Sequence, residues 1–147
     1  MTTRTGVVLF NLGGPDGLEA VEPFLFNLFN DAAIIRLPQP LRYAIARLIS
    51  RRRAPLAKEI YAKIGGHSPI LGETRKQADA LALALAGNSE HEFKIVVAMR
   101  YWHPRSDEAA QALAMWGADE IVLLPLYPQF STTTTTSSLD DWARAAK

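Results

Sequence analysis

Val7-Val8-Leu9-Phe10-Asn11, followed at once by Leu12-Gly13-Gly14-Pro15, is the stretch that decides the fold. Its apolar residues run without polar alternation, which is how a strand reads when helices cover both faces of a parallel sheet. Residues 94–99 and 120–126 are two further runs of the same kind, rich in Val, Ile and Leu. Helical patterns separate the three. Strands alternating with helices predict an α/β fold, a three-layer α/β/α lobe with a mainly parallel sheet.

Working outward, Pro23 opens a first helix that carries Phe24, Leu25, Leu28 and Phe29 on one stripe and ends near Asn30. A second is expected from Pro40 to Arg53, and a short one from Leu56 to Ile64, stopped by Gly65-Gly66. Ser68 caps the longest, with Pro69 as its first residue and Gly87 beyond its end. Ser106 is expected to cap a helix over 107–116, and Ser137 or Ser138 to cap the last. More than 80 residues lie between the first two apolar runs, far beyond an ordinary crossover, so this excursion reads as a lip or lid added to the sheet. An α/β pattern would next supply another strand where the sequence stops. The expectation is therefore the first half of a longer protein.

Composition narrows the function. The chain has 147 residues, 48% hydrophobic and 21% charged, as in a globular domain. It has no cysteine, which excludes thiolate zinc sites, cysteine nucleophiles and disulfides from this stretch. The longest alanine-rich apolar run, residues 80–86, is too short to span a bilayer, and residues 7–10 are too short for a signal peptide. The reading is a cytoplasmic protein. Net charge is +1, yet residues 40–64 carry +6 and the remainder −5. That imbalance argues against a generic nucleic-acid binder and for an anionic ligand, an anionic surface or a solvated helix face.

In parallel α/β sheets, ligands bind beyond the carboxyl ends of the strands. Three unusual segments fall there: Leu12-Gly13-Gly14-Pro15, Arg100-Tyr101-Trp102-His103-Pro104, and Tyr127-Pro128-Gln129-Phe130 with the eight hydroxyl residues 131–138. Gly13-Gly14 matches neither the dinucleotide nor the Walker fingerprint; it is a tight turn or a place where backbone approaches a flat ligand. Arg100 with its aromatic neighbours is a slot for a flat carboxylate-bearing ligand, or plain aromatic packing. The hydroxyl run holds an anion or forms a capped turn. Arg51-Arg52-Arg53 binds an anion or favours a helix end through its dipole. His67, His91 and His103 lack metal-ligand spacing, and no serine–histidine–acid set can be assembled.

Five strings stand in order: Asn11-Leu12-Gly13-Gly14-Pro15, residues 24–31, residues 60–70 with Gly65-Gly66-His67-Ser68-Pro69, Met99-Arg100-Tyr101-Trp102-His103-Pro104, and Leu126-Tyr127-Pro128-Gln129-Phe130-Ser131. Together they resemble the ferrochelatase family, whose members insert ferrous iron into protoporphyrin IX to form protoheme. The resemblance implies two similar α/β lobes of the chelatase fold with the porphyrin in a cleft between them. Residues 1–147 would be the amino-terminal lobe, with the second lobe absent. By motif position, Arg53, Tyr61 and Ser68 resemble porphyrin-contacting residues. Arg100 and Tyr101 resemble the pair lining the deep end of the pocket, and Tyr127, Ser131 and Thr133 the opposing loop. Leu12 falls where relatives place a residue near the metal centre; leucine cannot ligate, so it would shape the pocket.

The resemblance implies no catalytic residue in this chain, because the family's histidine and partner glutamate belong to the other half. It implies no metal ligand and no cofactor here either, ferrous iron being a substrate; any iron–sulfur cluster would draw its ligands mostly from elsewhere. His67 and Thr136 stand where glycines are usual. The implied partners are protoporphyrin IX, ferrous iron, the carboxyl-terminal lobe and a peripheral contact with the inner membrane face through the basic helix. Two other readings stand beside this one: a non-catalytic tetrapyrrole or anionic-ligand binding domain, and a small homodimeric tetrapyrrole chelatase.

Overall fold

The three apolar runs form three parallel strands, β1 Thr3–Asn11, β2 His91–Met99 and β3 Glu120–Pro125. A computed structural model describes residues 2–147. The order is β2-β1-β3, with Val7 opposite both Ile95 and Val122. The first two strands start earlier than their apolar runs. His91, which reads from sequence as a loop residue, opens β2, and its Nδ1 lies 2.8 Å from Thr5 Oγ1.

Five helices follow the pattern: α1 Val21–Phe29, α2 Gln39–Lys63, α3 Ile70–Leu85, α4 Ser106–Trp116 and α5 Ser137–Ala145. Two compact units result. One comprises the residues through Leu12 together with Leu71–Lys147; the other is Gly13–Ile70.

The first unit is the α/β/α sandwich. Alternation along β1 sends Val8 and Phe10 into a cluster with Ala98, Ala109, Leu113 and Trp142, so α4 and α5 cover that face. Val7 and Leu9 turn the other way, against Ala78 with Leu81, Ile95 and Val97, so α3 covers the second face. Gly6 lets α4 come close, since a Cβ there would meet both Leu113 δ-carbons at 2.8 Å. Burial on both faces is thus right for β1. It fails for β3, where Ile121, Val122 and Leu124 keep 42%, 47% and 39% of their surface exposed. The difference is position: β1 lies in the middle of the sheet, and β3 forms one edge.

The second unit packs α1 on α2. Ala46, Ser50 and Ala54, spaced four apart, give α2 a buried small-residue stripe, and Val21 and Phe24 are buried on α1. Phe26 meets Tyr43 edge-on at 5.1 Å, and Arg42 donates to the carbonyls of Asn30 and Leu37, both at 2.8 Å. The sequence predicts two helices here, broken near Pro55; the structure has one helix of 25 residues running through that proline. An interior proline costs about 3 kcal/mol. The buried stripe continues through Ala54, beside the proline, and Pro55 itself faces solvent. Arg51-Arg52-Arg53 therefore stands in mid-helix, where it has no helix end to favour.

The caps also shift by a residue or more. Arg105, not Ser106, precedes α4, and its N–H donates to Glu108 Oε2 at 2.7 Å. Ser137 and Ser138 are buried inside α5, and Ser131 instead caps a π-helical turn over Thr132–Thr136.

Candidate functional site

Parallel strands bring all three carboxyl ends to one edge of the first unit, and hydrogen bonds continue past the strands to hold the loops there. Arg100 N–H donates to the Asn11 carbonyl at 2.9 Å, Tyr101 N–H to Leu12 at 3.0 Å, and Leu126 N–H to Phe10 at 2.9 Å. Asn11 fixes the first turn with both side-chain ends: Oδ1 accepts the Leu12 N–H at 2.9 Å, and Nδ2 donates to the buried Thr74 hydroxyl at 3.1 Å. Leu12 is half-buried at this edge.

Arg100 is held closely. Its Nε donates to Ser137 Oγ at 2.7 Å, its Nη1 lies 3.6 Å from Asp141 Oδ1, and the guanidinium stands 5.0 Å over the Tyr101 ring. The Tyr101 side chain is wholly buried, with its hydroxyl 3.5 Å from the Thr133 carbonyl. Tyr127 bonds Ser138 Oγ at 2.9 Å. Burial pushes the Tyr127 phenol above its ordinary value, and the Ser138 bond and Arg100 charge oppose that push without cancelling it.

The hydroxyl run is a self-capped turn. Ser131 Oγ lies 2.8 Å from Thr133 Oγ1 and accepts the Thr133 N–H at 3.1 Å. The Ser131 carbonyl takes the N–H groups of Thr134 and Thr136. These three donors, which an anion would need, are met inside the loop. His103 fixes its own loop through Nδ1 and Glu108 Oε2 at 2.7 Å.

Arg53, Tyr61 and Ser68 belong to the second unit. Arg53 and Tyr61 ride on the same helix, eight residues or about 12 Å apart along its axis. Arg53 is exposed, its guanidinium 5.5 Å over the Phe29 ring, and among the described residues no carboxylate pairs with it. Its neighbour Arg51 does have a partner, Glu22, at 3.8 Å. Burial raises the Tyr61 phenol above its ordinary value. Ser68 N–H donates to the Pro15 carbonyl at 2.8 Å, and Ser68 Oγ accepts the N–H of Ile70, the first residue of α3, at 3.3 Å; the helix thus starts one residue later than expected, and α2 is the longer of the two. The space left by Gly14 is filled by that serine: a Cβ at Gly14 would overlap Ser68 Oγ and Cβ. Gly13 takes the left-handed conformation at φ 86°, as the tight-turn reading of Gly13-Gly14 requires, and the close approach at Gly14 is to Ser68.

The structure thus gathers Leu12, Arg100, Tyr101, Tyr127, Ser131 and Thr133 at the strand ends, and Arg53 and Tyr61 along α2 with Ser68 at the start of α3. Sequence reading missed Ser106, Ser137, Ser138 and Asp141, the residues that hold Arg100 and Tyr127. One signal was present: Ser137 and Asp141 are four apart and share a helix face. Among the described residues no three His, Asp or Glu gather as a metal group.

The ferrochelatase family model matches residues 4–147. The chain is 59% identical over 150 residues to the ferrochelatase of Hyphomonas neptunium, covering 100% of this chain and 42% of that protein. It is 58% identical over 148 residues to that of Caulobacter vibrioides, covering 100% and 43%. A Wolbachia ferrochelatase is 53% identical over 144 residues, covering 98% and 46%. The chain spans less than half the length of these relatives.

Proposed function

From the premise that this chain belongs to the ferrochelatase family, we propose that it is one lobe of an enzyme that inserts ferrous iron into protoporphyrin IX, and that this lobe grips and shapes the porphyrin. Inserting a divalent ion removes two pyrrole protons, so a base must face one side of the macrocycle. That base comes from outside this chain. Ferrous iron is substrate, and none of the residues here is assigned to bind it.

The observation that carries the reading is the set of loops converging on one sheet edge, at the position where open α/β sheets bind ligands. Leu12 supplies apolar surface to a planar ligand and cannot ligate its metal. Tyr101 and Tyr127, braced by Thr133 and Ser138, make that edge stiff. A stiff wall favours a distorted macrocycle over a flat one, which exposes a nitrogen lone pair to the metal. Arg53 and Ser68 address propionate oxygens, and Tyr61 offers a ring edge and a hydroxyl. A charge-assisted contact with a carboxylate is worth about 1.5–3 kcal/mol.

We also propose a peripheral membrane contact through α2. Leu41, Tyr43, Leu48, Leu56 and Ile60 are exposed along it among Arg47, Arg51, Arg52 and Arg53. Exposed apolar side chains interspersed with arginines suit the surface of an anionic bilayer, where an insoluble porphyrin partitions. No described helix is long and apolar enough to cross a membrane. The cytoplasm is the proposed compartment.

The test is metallation. The full-length protein is expected to insert ferrous or zinc ion into protoporphyrin IX, and the 147-residue chain alone to stay at the spontaneous rate. Insertion by the chain alone would favour the homodimeric chelatase. Porphyrin binding without insertion by the full-length protein would favour the non-catalytic binding domain.

A further inference from the structure

Arg100 occupies a position where a guanidinium could clamp a carboxylate, yet its contacts point inward. Nε is spent on Ser137 Oγ at 2.7 Å, and Nη1 faces Asp141 Oδ1 at 3.6 Å. The side chains of Arg100 and Asp141 are only 11% and 15% exposed. Asp141 is itself anchored at both oxygens. Oδ2 accepts the hydroxyl of the buried Ser106 at 2.8 Å, and Oδ1 takes Arg144 Nη2 at 3.4 Å. Ser106 is the first residue of α4, Ser137 the first of α5, and Arg100 follows the last residue of β2. One carboxylate therefore ties three elements together through the arginine.

Two physical points give the arrangement meaning. A guanidinium committed to an internal carboxylate must break that contact before it can grip another, and breaking a shielded charge pair is costly. The Asp141 carboxylate beside it also offsets part of the local positive charge, so Arg100 draws in anions less than an unpaired guanidinium would. On both counts Arg100 is a poor reader of carboxylates and a good strut.

We propose that Asp141 is the positioning residue of Arg100, and that Arg100, so held, braces the strand-end wall and takes no part in recognising the ligand's carboxylates. This rests on the porphyrin-binding reading above. Carboxylate preference then falls to Arg53, an exposed arginine with no carboxylate partner among the described residues and the one that the family resemblance sets against the porphyrin.

The experiment compares protoporphyrin IX with its dimethyl ester, which has the same macrocycle without the charges. Affinities for both are measured by fluorescence in the full-length protein, at fixed salt, for wild type, Arg53→Ala and Arg100→Gln. Arg53→Ala should reduce the acid-over-ester preference about ten- to a hundredfold, the range for losing a charge-assisted hydrogen bond. Arg100→Gln should leave the preference within about threefold of wild type, since a committed guanidinium contributes no such bond. A collapse of the preference in Arg100→Gln overturns the proposal while leaving the porphyrin reading intact. A wild-type protein with no preference for the acid counts against the porphyrin reading instead.

The positioning arm reads Arg100 directly. In protein labelled at the arginine Nη positions, the Arg100 Nη1–H, which faces Asp141, should exchange with water at least about tenfold faster in Asp141→Ala than in wild type, and Asp141→Glu should restore protection. The glutamate variant also covers the case in which Asp141→Ala fails to fold, because retained protection there still requires a carboxylate on Arg100. Equal exchange in wild type and Asp141→Ala, or loss of protection in a folded Asp141→Glu, removes Asp141 from the role.

Discussion

Arg100 stands at the end of β2 with 11% of its side chain exposed, touching Ser137, Asp141 and the Tyr101 ring. Arg53 stands on α2, exposed, over the face of Phe29. The proposal drawn from the resemblance sets Arg53 against the porphyrin and Arg100 at the deep end of its pocket, and the surroundings divide them. Around Arg100 several polar groups are answered by others from the same unit, Asp141 by Ser106, Tyr127 by Ser138 and Ser131 by Thr133, while Trp102 Nε1 and Thr134 Oγ1 are buried without a partner. Along α2 the apolar and basic side chains face outward together. A strand end is built by a sheet that needs its last hydrogen bonds closed; a helix surface needs nothing beyond its own backbone. Residue type tells which chemistry is available, and the surroundings tell whether it is already in use.

The largest effect expected from this contrast is on stability. Leu113, wholly buried under Gly6, should cost about 2–5 kcal/mol when cut to alanine, and Leu48, 51% exposed on α2, about 0.5 kcal/mol or less. Denaturant midpoints of the two variants measure this. Similar losses would mean that α2 is buried in solution and the contrast between the regions is false.

Next comes the contact of Gly14 with Ser68. Gly14→Ala pushes a Cβ into Ser68 and should cost about 1–3 kcal/mol, whereas Gly17→Ala, with nothing within 4 Å, should cost little. Equal midpoints for the two would show that Ser68 moves aside freely.

The smallest effect concerns the two shifted phenols. Tyr61 is raised by burial alone; Tyr127 is raised by burial against the opposing pull of Ser138 and Arg100. A phenol whose folded pKa lies above its unfolded value of about 10 contributes stability below pH 10 and loses it as pH rises through the folded value. The absorbance titration of wild type minus Tyr127→Phe should therefore have its midpoint above 10. A midpoint at or below 10 would place Tyr127 in water.

Much of the fold was legible because β1 has two apolar faces and Gly, Pro and Ser punctuate the helices. Val7 and Leu9 against Val8 and Phe10 give both covered faces of the sheet. Pro55 misled because a proline's local cost is visible in sequence, while the packing that offsets it at Ala46, Ser50 and Ala54 is not. Ser106, Ser137 and Ser138 were legible as cap formers only, since their partners lie 35, 37 and 11 residues away. Long-range polar pairing leaves no periodic trace. The site's residue types could be read; which of them were already bonded to one another could not.

The account turns on Arg53 reading a porphyrin carboxylate from mid-helix, where its immediate neighbour Arg51 is only a surface partner of Glu22. The direct measurement is protoporphyrin IX affinity in the full-length protein for Arg53→Ala against Arg51→Ala at fixed salt. The account predicts a loss of about ten- to a hundredfold for Arg53→Ala and less than about threefold for Arg51→Ala, whose pair is exposed. Equal losses would show a diffuse basic patch, and wild-type affinity in Arg53→Ala would take that residue out of the site.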